Sequence, residues 1–478
     1  MSLGKKMFHG VVWSGLEKIS IQLVQFVIGI ILARILTPKE YGIIGILYVF
    51  IAISNVFIDS GFTKALIQKQ DRTEEDKSTV FWFNLLISLV CYILLWITAP
   101  YIADFYELDV LKNLLRVLAL VLIINSLFTV PTTLLNIDLD FKTLAKINFI
   151  SVFGAGMVAI YLAMEGYGVW ALAYQTLLKS ILSLVMTWFW VRWKPRLLFS
   201  KASFGTLFSY GSNLLVSSLL GVAVNNFYAL FIAKLISTKD LGYYTRGTQF
   251  SDFVYGTISS ILDSVLLPGL STIQEQRDVL IAQTRKVIKL TALITIPVFL
   301  LLALMAKPII ITLLTEKWAP AAPIMQFFCI ARLITIISGI NVNLLYVIGR
   351  TDLALRQQYS KIAIRVVLLV VSLKYGIVII ALAELISTII HFFINTYHPG
   401  KIMGYGALSQ IKDMKMIFLS SILMVMVTFL SVYFIDDNLV KVCIAPLAAL
   451  GSYYLCMRIF KIEEWNSLFA MSRKFLKK

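Results

Sequence analysis

Long apolar runs, broken by short polar and charged clusters, recur along the whole of this chain. A helix needs about 20 predominantly apolar residues to cross a bilayer, because its backbone N–H and C=O groups must be satisfied within the helix itself. Runs of that kind predict helices at approximately Val11–Leu36, Tyr41–Leu66, Val80–Tyr101, Leu111–Asn136, Leu144–Met164, Gly168–Val191 and Phe204–Ile236. The second half continues with Gly242–Leu270, Val287–Leu313, Ala321–Ile348, Tyr359–Leu373, Gly376–Tyr397, Met416–Ile435 and Val440–Met457. The pattern predicts an all-α polytopic membrane protein with about fourteen crossings, the eleventh being the shortest.

Within some of these runs, polar residues recur at helical spacing and share one face. Ser14, Lys18, Gln22, Gln25 and Gly29 form such a stripe on the first helix, and Tyr48, Ala52, Asn55 and Asp59 on the second. Asn213, Ser217, Gly221 and Asn225, with Asn226 beside them, mark the seventh helix. Arg246, Gln249, Asp252, Gly256, Ser259 or Ser260, and Asp263 mark the eighth, whereas Thr291–Ala306 is nearly free of polar side chains. Small polar residues also join transmembrane helices, so Ser14, Ser217, Gly221 and Gly256 fit packing as well as a wet cavity. Charges are more telling, since one at the bilayer centre costs at least about 2.5 kcal/mol and so faces water or a partner. Lys18, Lys179, Asp252, Arg332, Arg365 and Glu384 are the deepest. For Lys179, Arg365 and Glu384, pairing between helices is the expectation. Arg34, Lys64 and Lys234 lie near helix ends and can snorkel to headgroups, and Arg246 fits snorkelling and cavity equally.

Composition excludes a soluble fold. Of 478 residues, 59% are hydrophobic and 14% charged, with mean hydropathy +0.85, against roughly a quarter charged in soluble domains. The net charge of +17 does not mark a nucleic-acid binder, because no soluble basic domain with interleaved aromatics is present. Lys and Arg instead gather in alternate loops, as at Lys69/Arg72/Lys77, Arg192/Lys194/Arg196/Lys201 and Lys401/Lys412/Lys415. The loops between hold acids such as Asp104, Glu107, Asp109, Asp436 and Asp437. That alternation predicts cytoplasmic N and C termini. Arg473, Lys474, Lys477 and Lys478 suggest a basic amphipathic tail on anionic lipid. Cys91, Cys329, Cys443 and Cys456 lie in apolar runs without ligand spacing, and His9, His391 and His398 form no metal or triad pattern. No metal and no cofactor is expected. The first helix lacks a small-residue cleavage site and should stay as an anchor.

An internal repeat organises the chain. ARILTPKEYG near position 33 matches AKLISTKDLG near position 233, and Asp59-Ser60 answers Asp263-Ser264 at nearly the same distance further on. Helices one and two thus match seven and eight. An even number of helices separates the copies, which makes the lobes parallel repeats with substrate expected between them. The expected organisation is two pseudo-symmetric lobes of about six helices each, at 1–199 and 200–400, then two additional helices and the basic tail over 401–478.

ARILTPKEYG, DSGFTKALIQ, STVFWFNLL, LDFKTLAKI and LGYYTRGTQF together resemble the Wzx-like polysaccharide transporters, of colanic-acid and O-antigen type. These belong to the multidrug/oligosaccharidyl-lipid/polysaccharide exporter superfamily, and the resemblance runs from about Met1 to about Gly400. It implies two lobes in a V around a cation-rich cavity lined by helices one, two, seven and eight. It also implies a flippase of a bacterial inner membrane that moves a polyprenyl-pyrophosphate-linked oligosaccharide outward for surface polysaccharide assembly, without covalent chemistry. The implied partners are that lipid-linked oligosaccharide, membrane lipids, and the polymerase and glycosyltransferases of glycan assembly. Lys18, Arg246 and Arg332 are then the expected donors to pyrophosphate, with Gln22, Gln25, Asn213, Asn225 and Asn226 facing sugar hydroxyls and Asp252 in the same cavity. Asp59, Asp252 and Asp263 are the acids that could couple H⁺ or Na⁺ movement, although Asp59 and Asp263 also suit helix-end caps.

A multidrug exporter of the same superfamily is the alternative, with the deep arginines against it. A membrane polymerase or glycosyltransferase is a second, against which the outward loops are short. The Asp138-Leu139-Asp140 DxD sequence has no soluble domain around it and fits loop and cap residues.

Overall fold

The computed structural model describes residues 20–59, 61–69, 71–462, 464 and 465, with backbone alone at 64, 209–214, 216, 217, 220, 223–225, 264, 265, 267 and 268. Lys18 and the tail cations therefore lie outside the described residues. Among the described residues all regular secondary structure is helical and there is no strand.

A first helix, α1 (Ser20–Ile35), leads into α2 (Pro38–Asp59), α3 (Phe62–Gln68), α4 (Glu74–Tyr106), α5 (Val110–Leu118), α6 (Leu120–Ile137), α7 (Phe141–Met164), α8 (Val169–Trp190) and α9 (Lys201–Leu235). Then follow α10 (Thr238–Ser271), α11 (Arg277–Leu304), α12 (Ala306–Leu314), α13 (Ala322–Val347), α14 (Thr351–Ser372), α15 (Ile377–Met403), α16 (Ala407–Tyr433) and α17 (Asn438–Ile459). Within the described residues, every apolar run coincides with a helix or a consecutive pair. The run Tyr41–Leu66 is two helices because Gly61, at φ 75°, takes the left-handed conformation that stops α2 and starts α3. The run Val287–Leu313 is divided at Met305 into α11 and α12. The shortest predicted run is embedded in α14, whose first two turns carry Asp352, Arg356 and Gln357 and so escaped a search for apolar residues.

Among the described residues, ten spans are long and apolar enough by themselves to cross a membrane. The polar-striped α10 and the charged α14 are not among them, and α1 and α9 contribute the shorter apolar stretches Ser20–Ile35 and Asn226–Leu235. The helices that dilute the apolar signal are thus mostly those with polar faces.

The chain divides into two compact units, one ending at Gly242 and one beginning at Tyr243. In the first, α7 packs on α8, α4 on α5 and α6, and α9 on α2, α3 and α4. A buried aromatic cluster of Phe62, Phe81, Phe83 and Phe204 ties α3, α4 and the start of α9 together. In the second, α13 packs on α11 and α15, and α14 on α15. The last pair, α16 and α17, is built into this unit: α16 packs along α11, and the Tyr453 hydroxyl donates to the Leu293 carbonyl at 2.8 Å.

Candidate functional site

The duplicated motif folds the same way at both occurrences. At the start of α2 the Thr37 amide and hydroxyl donate to Glu40 Oε2 at 2.6 and 2.8 Å, and the Glu40 amide donates back to Thr37 Oγ1 at 3.4 Å. At the start of α10 the Ser237 hydroxyl donates to Asp240 Oδ2 at 2.5 Å, and the Asp240 amide donates to Ser237 Oγ at 3.0 Å. The first is a full hydroxyl–acid capping box and the second shares its hydroxyl half, in which the hydroxyl accepts from an amide that a helix start would leave unpaired. Two residues after each acid stands a glycine, and the two copies interlock there. A side chain at Gly42 would collide with the Thr238 carbonyl, and one at Gly242 with the Pro38 carbonyl. The repeat therefore encodes a reciprocal backbone crossing of α2 and α10 that only glycine permits.

Beyond this crossing, the first unit holds a cavity of ≈ 380 Å³ lined by Asn55, Val56, Asp59 and Gly61 on one side and Leu215, Ser218 and Val222 on the other. The α2 stripe places Asn55 and Asp59 there, as its spacing suggested. Asp59 accepts from the Thr63 amide at 3.3 Å, which is the capping role expected near a helix end, while also facing the cavity. Ser218 was missed; its neighbour Ser217 stood on the predicted stripe, and a one-residue shift is beyond what helical spacing resolves in a sequence. Asn226, expected to face sugar, is half-buried and donates through Nδ2 to the Val222 carbonyl on its own helix at 2.8 Å. Gln22 is half-buried and Gln25 exposed on α1. Asn213 and Asn225 lie on α9 by their backbone.

The second unit handles its charges differently. Arg332 of α13 donates through Nε to Asp252 Oδ1 of α10 at 2.6 Å. Its guanidinium also lies 5.1 Å from the Tyr255 ring centroid and 5.4 Å from that of Phe328. Two residues singled out separately are thus one ion pair with an aromatic seat. Arg365 grips Glu384 through two bonds of 2.9 and 2.6 Å, the interhelical pair expected of them. Lys179 belongs to no ion pair among the described residues. Arg246 is half-buried and donates to Gln249 one turn on, while Asp263 is exposed on α10.

Neutral amides deeper in this unit had drawn no attention in the sequence. Asn341 and Gln410 exchange reciprocal amide bonds at 3.1 and 2.7 Å, and Asn395 donates to Ser338 at 2.6 Å. They join α13 to α15 and α16 as buried glue. The DxD sequence resolves into helix ends: Asp138 terminates α6, and Asp140 caps α7 by accepting from the Thr143 amide at 3.1 Å. At the start of α14, outside the apolar runs, hydrogen bonds from Arg350 hold the Asp352 carboxyl down at about 2. No group of three or more potential metal ligands occurs among the described residues.

Ten apolar spans among the described residues, polar faces confined to particular helices and a duplicated interlocking turn define a multi-pass membrane protein with the fold of a transporter. The chain belongs to the polysaccharide biosynthesis protein family, whose model matches residues 31–323, a stretch that includes both copies of the turn. It is 27% identical over 358 residues to the teichuronic acid biosynthesis protein TuaB of Bacillus subtilis, covering 74% of each chain. It is 22% identical over 405 residues to the lipopolysaccharide biosynthesis protein WzxC of Escherichia coli, covering 82% of each, which bears out the Wzx-like resemblance. Among solved structures, the lipid II flippase MurJ in an inward closed conformation matches with a TM-score of 0.75 at 17% identity, covering 94% of this chain and 98% of that one. That likeness is one of fold.

Proposed function

We propose that this protein is a flippase that carries a polyprenyl-pyrophosphate-linked oligosaccharide across a bacterial inner membrane for surface polysaccharide assembly. The observation that carries the reading is the family match over both copies of the duplicated turn, joined to relatives named for teichuronic acid and lipopolysaccharide biosynthesis. The physical problem suits the architecture. A dianionic pyrophosphate and a hydrophilic glycan are rejected by hydrocarbon, while their lipid tail prefers it. Polar faces on otherwise apolar helices give the headgroup a wet path and leave the tail in lipid.

In this reading Lys18, Arg246 and Arg332 hold the pyrophosphate, and Gln22, Gln25, Asn213, Asn225 and Asn226 hydrogen-bond sugar hydroxyls. Asp252 occupies Arg332 until the cargo's phosphate displaces it. Transport needs alternate opening of the polar path to the two sides of the membrane. Coupling to H⁺ or Na⁺ through Asp59, Asp252 or Asp263, cytoplasmic termini, and work beside a polymerase and glycosyltransferases belong to the same proposal. No bond is made or broken in the cargo.

The test is restoration of surface glycan in a transporter-null strain. Arg246→Ala and Arg332→Ala proteins that reach the membrane normally are expected to restore about a tenth or less of wild-type glycan, the loss of at least one charge-assisted hydrogen bond of about 1.5 kcal/mol or more. Full restoration by both contradicts the assignment of these cations.

A further inference from the structure

Where α15 turns into α16, the backbones of Gly400 and Gly406 touch so closely that a side chain at either would meet the other's Cα, at 2.8 and 3.1 Å. This tight crossing leaves beside it a groove of ≈ 570 Å³ walled by the exposed side chains of Phe393, Tyr397 and Leu408, with Lys401 at its rim. Phe393, Tyr397 and Lys401 are spaced by four residues and so share one face of α15, rising about 12 Å along the helix axis. On α16, Leu408, Lys412 and Lys415 repeat the pattern at spacings of four and three.

The charge here is one-sided. Lys401, Lys412 and Lys415 are all exposed, and none makes a hydrogen bond or ion pair among the described residues. Asp413 is the acid nearest to them in the chain between 398 and 415, and it is spent. It accepts from Arg285 Nε at 2.5 Å and from the Tyr405 hydroxyl at 3.0 Å. Lys401 thus stands free at an apolar, aromatic-lined notch on a hairpin between two membrane-crossing helices, and Lys412 and Lys415 follow on α16 one and two turns beyond the notch residue Leu408.

We propose that this groove is a seat for an anionic phospholipid. The order along α15, phenyl ring, then tyrosine, then lysine, is the order in which a phospholipid presents acyl chain, ester region and phosphate. Aromatic side chains with a polar tip favour the interface, and lysines near the surface attract anionic headgroups. A zwitterionic lipid would leave the lysine charge uncompensated, and a soluble anion would leave the apolar wall bare. The seat lies at the joint between α15 and the pair α16–α17, so an occupant braces that pair against the rest of the second unit. It needs no assumption about the cargo.

The full-length protein is reconstituted in nanodiscs of equimolar phosphatidylglycerol and phosphatidylcholine, and the lipid retained after detergent exchange is counted by native mass spectrometry. The wild type should retain phosphatidylglycerol over phosphatidylcholine, and the preference should fall by about fivefold for each of Lys401→Gln, Lys412→Gln and Lys415→Gln. Lys142→Gln and Lys146→Gln, at the start of α7, and Lys194→Gln, between α8 and α9, should leave it unchanged. If the Lys412 or Lys415 variant does not accumulate, Lys401→Gln alone decides the matter. Equal retention of both lipids by the wild type, or unchanged preference in the Lys401 variant, overturns the proposal. A photoreactive residue at position 397 should crosslink phosphatidylglycerol; capture of the lipid-linked cargo there instead also overturns it.

Discussion

The two units solve the problem of polar groups in a membrane protein in opposite ways. In the first, ion pairs stand at helix ends: Lys69 meets Asp76 at 2.7 Å where α3 gives way to α4, and Lys234 meets Glu107 at 2.9 Å where α9 and α4 finish. Its interior polar groups are mostly neutral, such as the buried Ser88–Ser126 hydroxyl pair at 3.1 Å and the cavity residues Asn55 and Ser218. In the second, besides helix-end pairs such as Arg350–Asp352, charges also sit well inside helices and are bound to each other, as in Asp252–Arg332 and Arg365–Glu384. Lys179, inside α8 and outside any ion pair among the described residues, is the exception in the first unit. The lesson is electrostatic. A neutral polar side chain can face a wet cavity at little cost, whereas a buried charge needs a partner fixed in place.

Removing one partner of a buried pair should therefore hurt most. Glu384→Ala leaves Arg365, whose side chain is only 19% exposed, without its carboxylate, and should destabilise the protein by about 3 kcal/mol in chemical denaturation. A loss under about 1 kcal/mol would erase the distinction between the units. Asp252→Ala should cost less, about 1–2 kcal/mol, because the Asp252 side chain is 41% exposed and water already shares its charge. In a double-mutant cycle with Arg332→Ala the second substitution should cost less than the first, since the cation left unpaired is gone. In the first unit, Asn55→Ala should change stability by no more than about 0.5 kcal/mol while lowering transport. The smallest effect belongs to the exposed Arg350–Asp352 pair of 2.9 Å. Arg350→Ala should leave the denaturation midpoint unchanged, although the Asp352 carboxyl, held at about 2 by that arginine, should return toward the ordinary carboxylate range in an NMR titration.

Much of this contrast was legible in the sequence, residue by residue, but not its wiring. The depth of Arg365 and Glu384 in apolar runs was enough to expect a pair between neighbouring helices, since a short loop makes α14 and α15 adjacent. Asp252 and Arg332 were each conspicuous for the same reason, yet 80 residues separate them, and nothing in either helix's spacing says that the two faces meet. The repeat told where the two turns were alike. That their glycines would interlock depends on how α2 and α10 cross, which is tertiary information. Helix ends were least legible where hydrophobicity was the guide. α4 begins at Glu74, six residues before its apolar run, because Thr73 and Asp76 form a capping box that apolar counting ignores. The groove at Gly400 and Gly406 escaped notice because it is an absence of side chains.

The central claim is that this chain flips a lipid-linked oligosaccharide and does no chemistry on it. Purified protein in liposomes, loaded with a fluorescent polyprenyl-pyrophosphate oligosaccharide and challenged from outside with a quencher that cannot cross the bilayer, tests it most directly. The account predicts that all of the fluorophore becomes accessible at a rate proportional to protein, with the glycan unchanged in length. Half-accessibility that stays fixed for hours, or a glycan lengthened when a sugar donor is supplied, would contradict it.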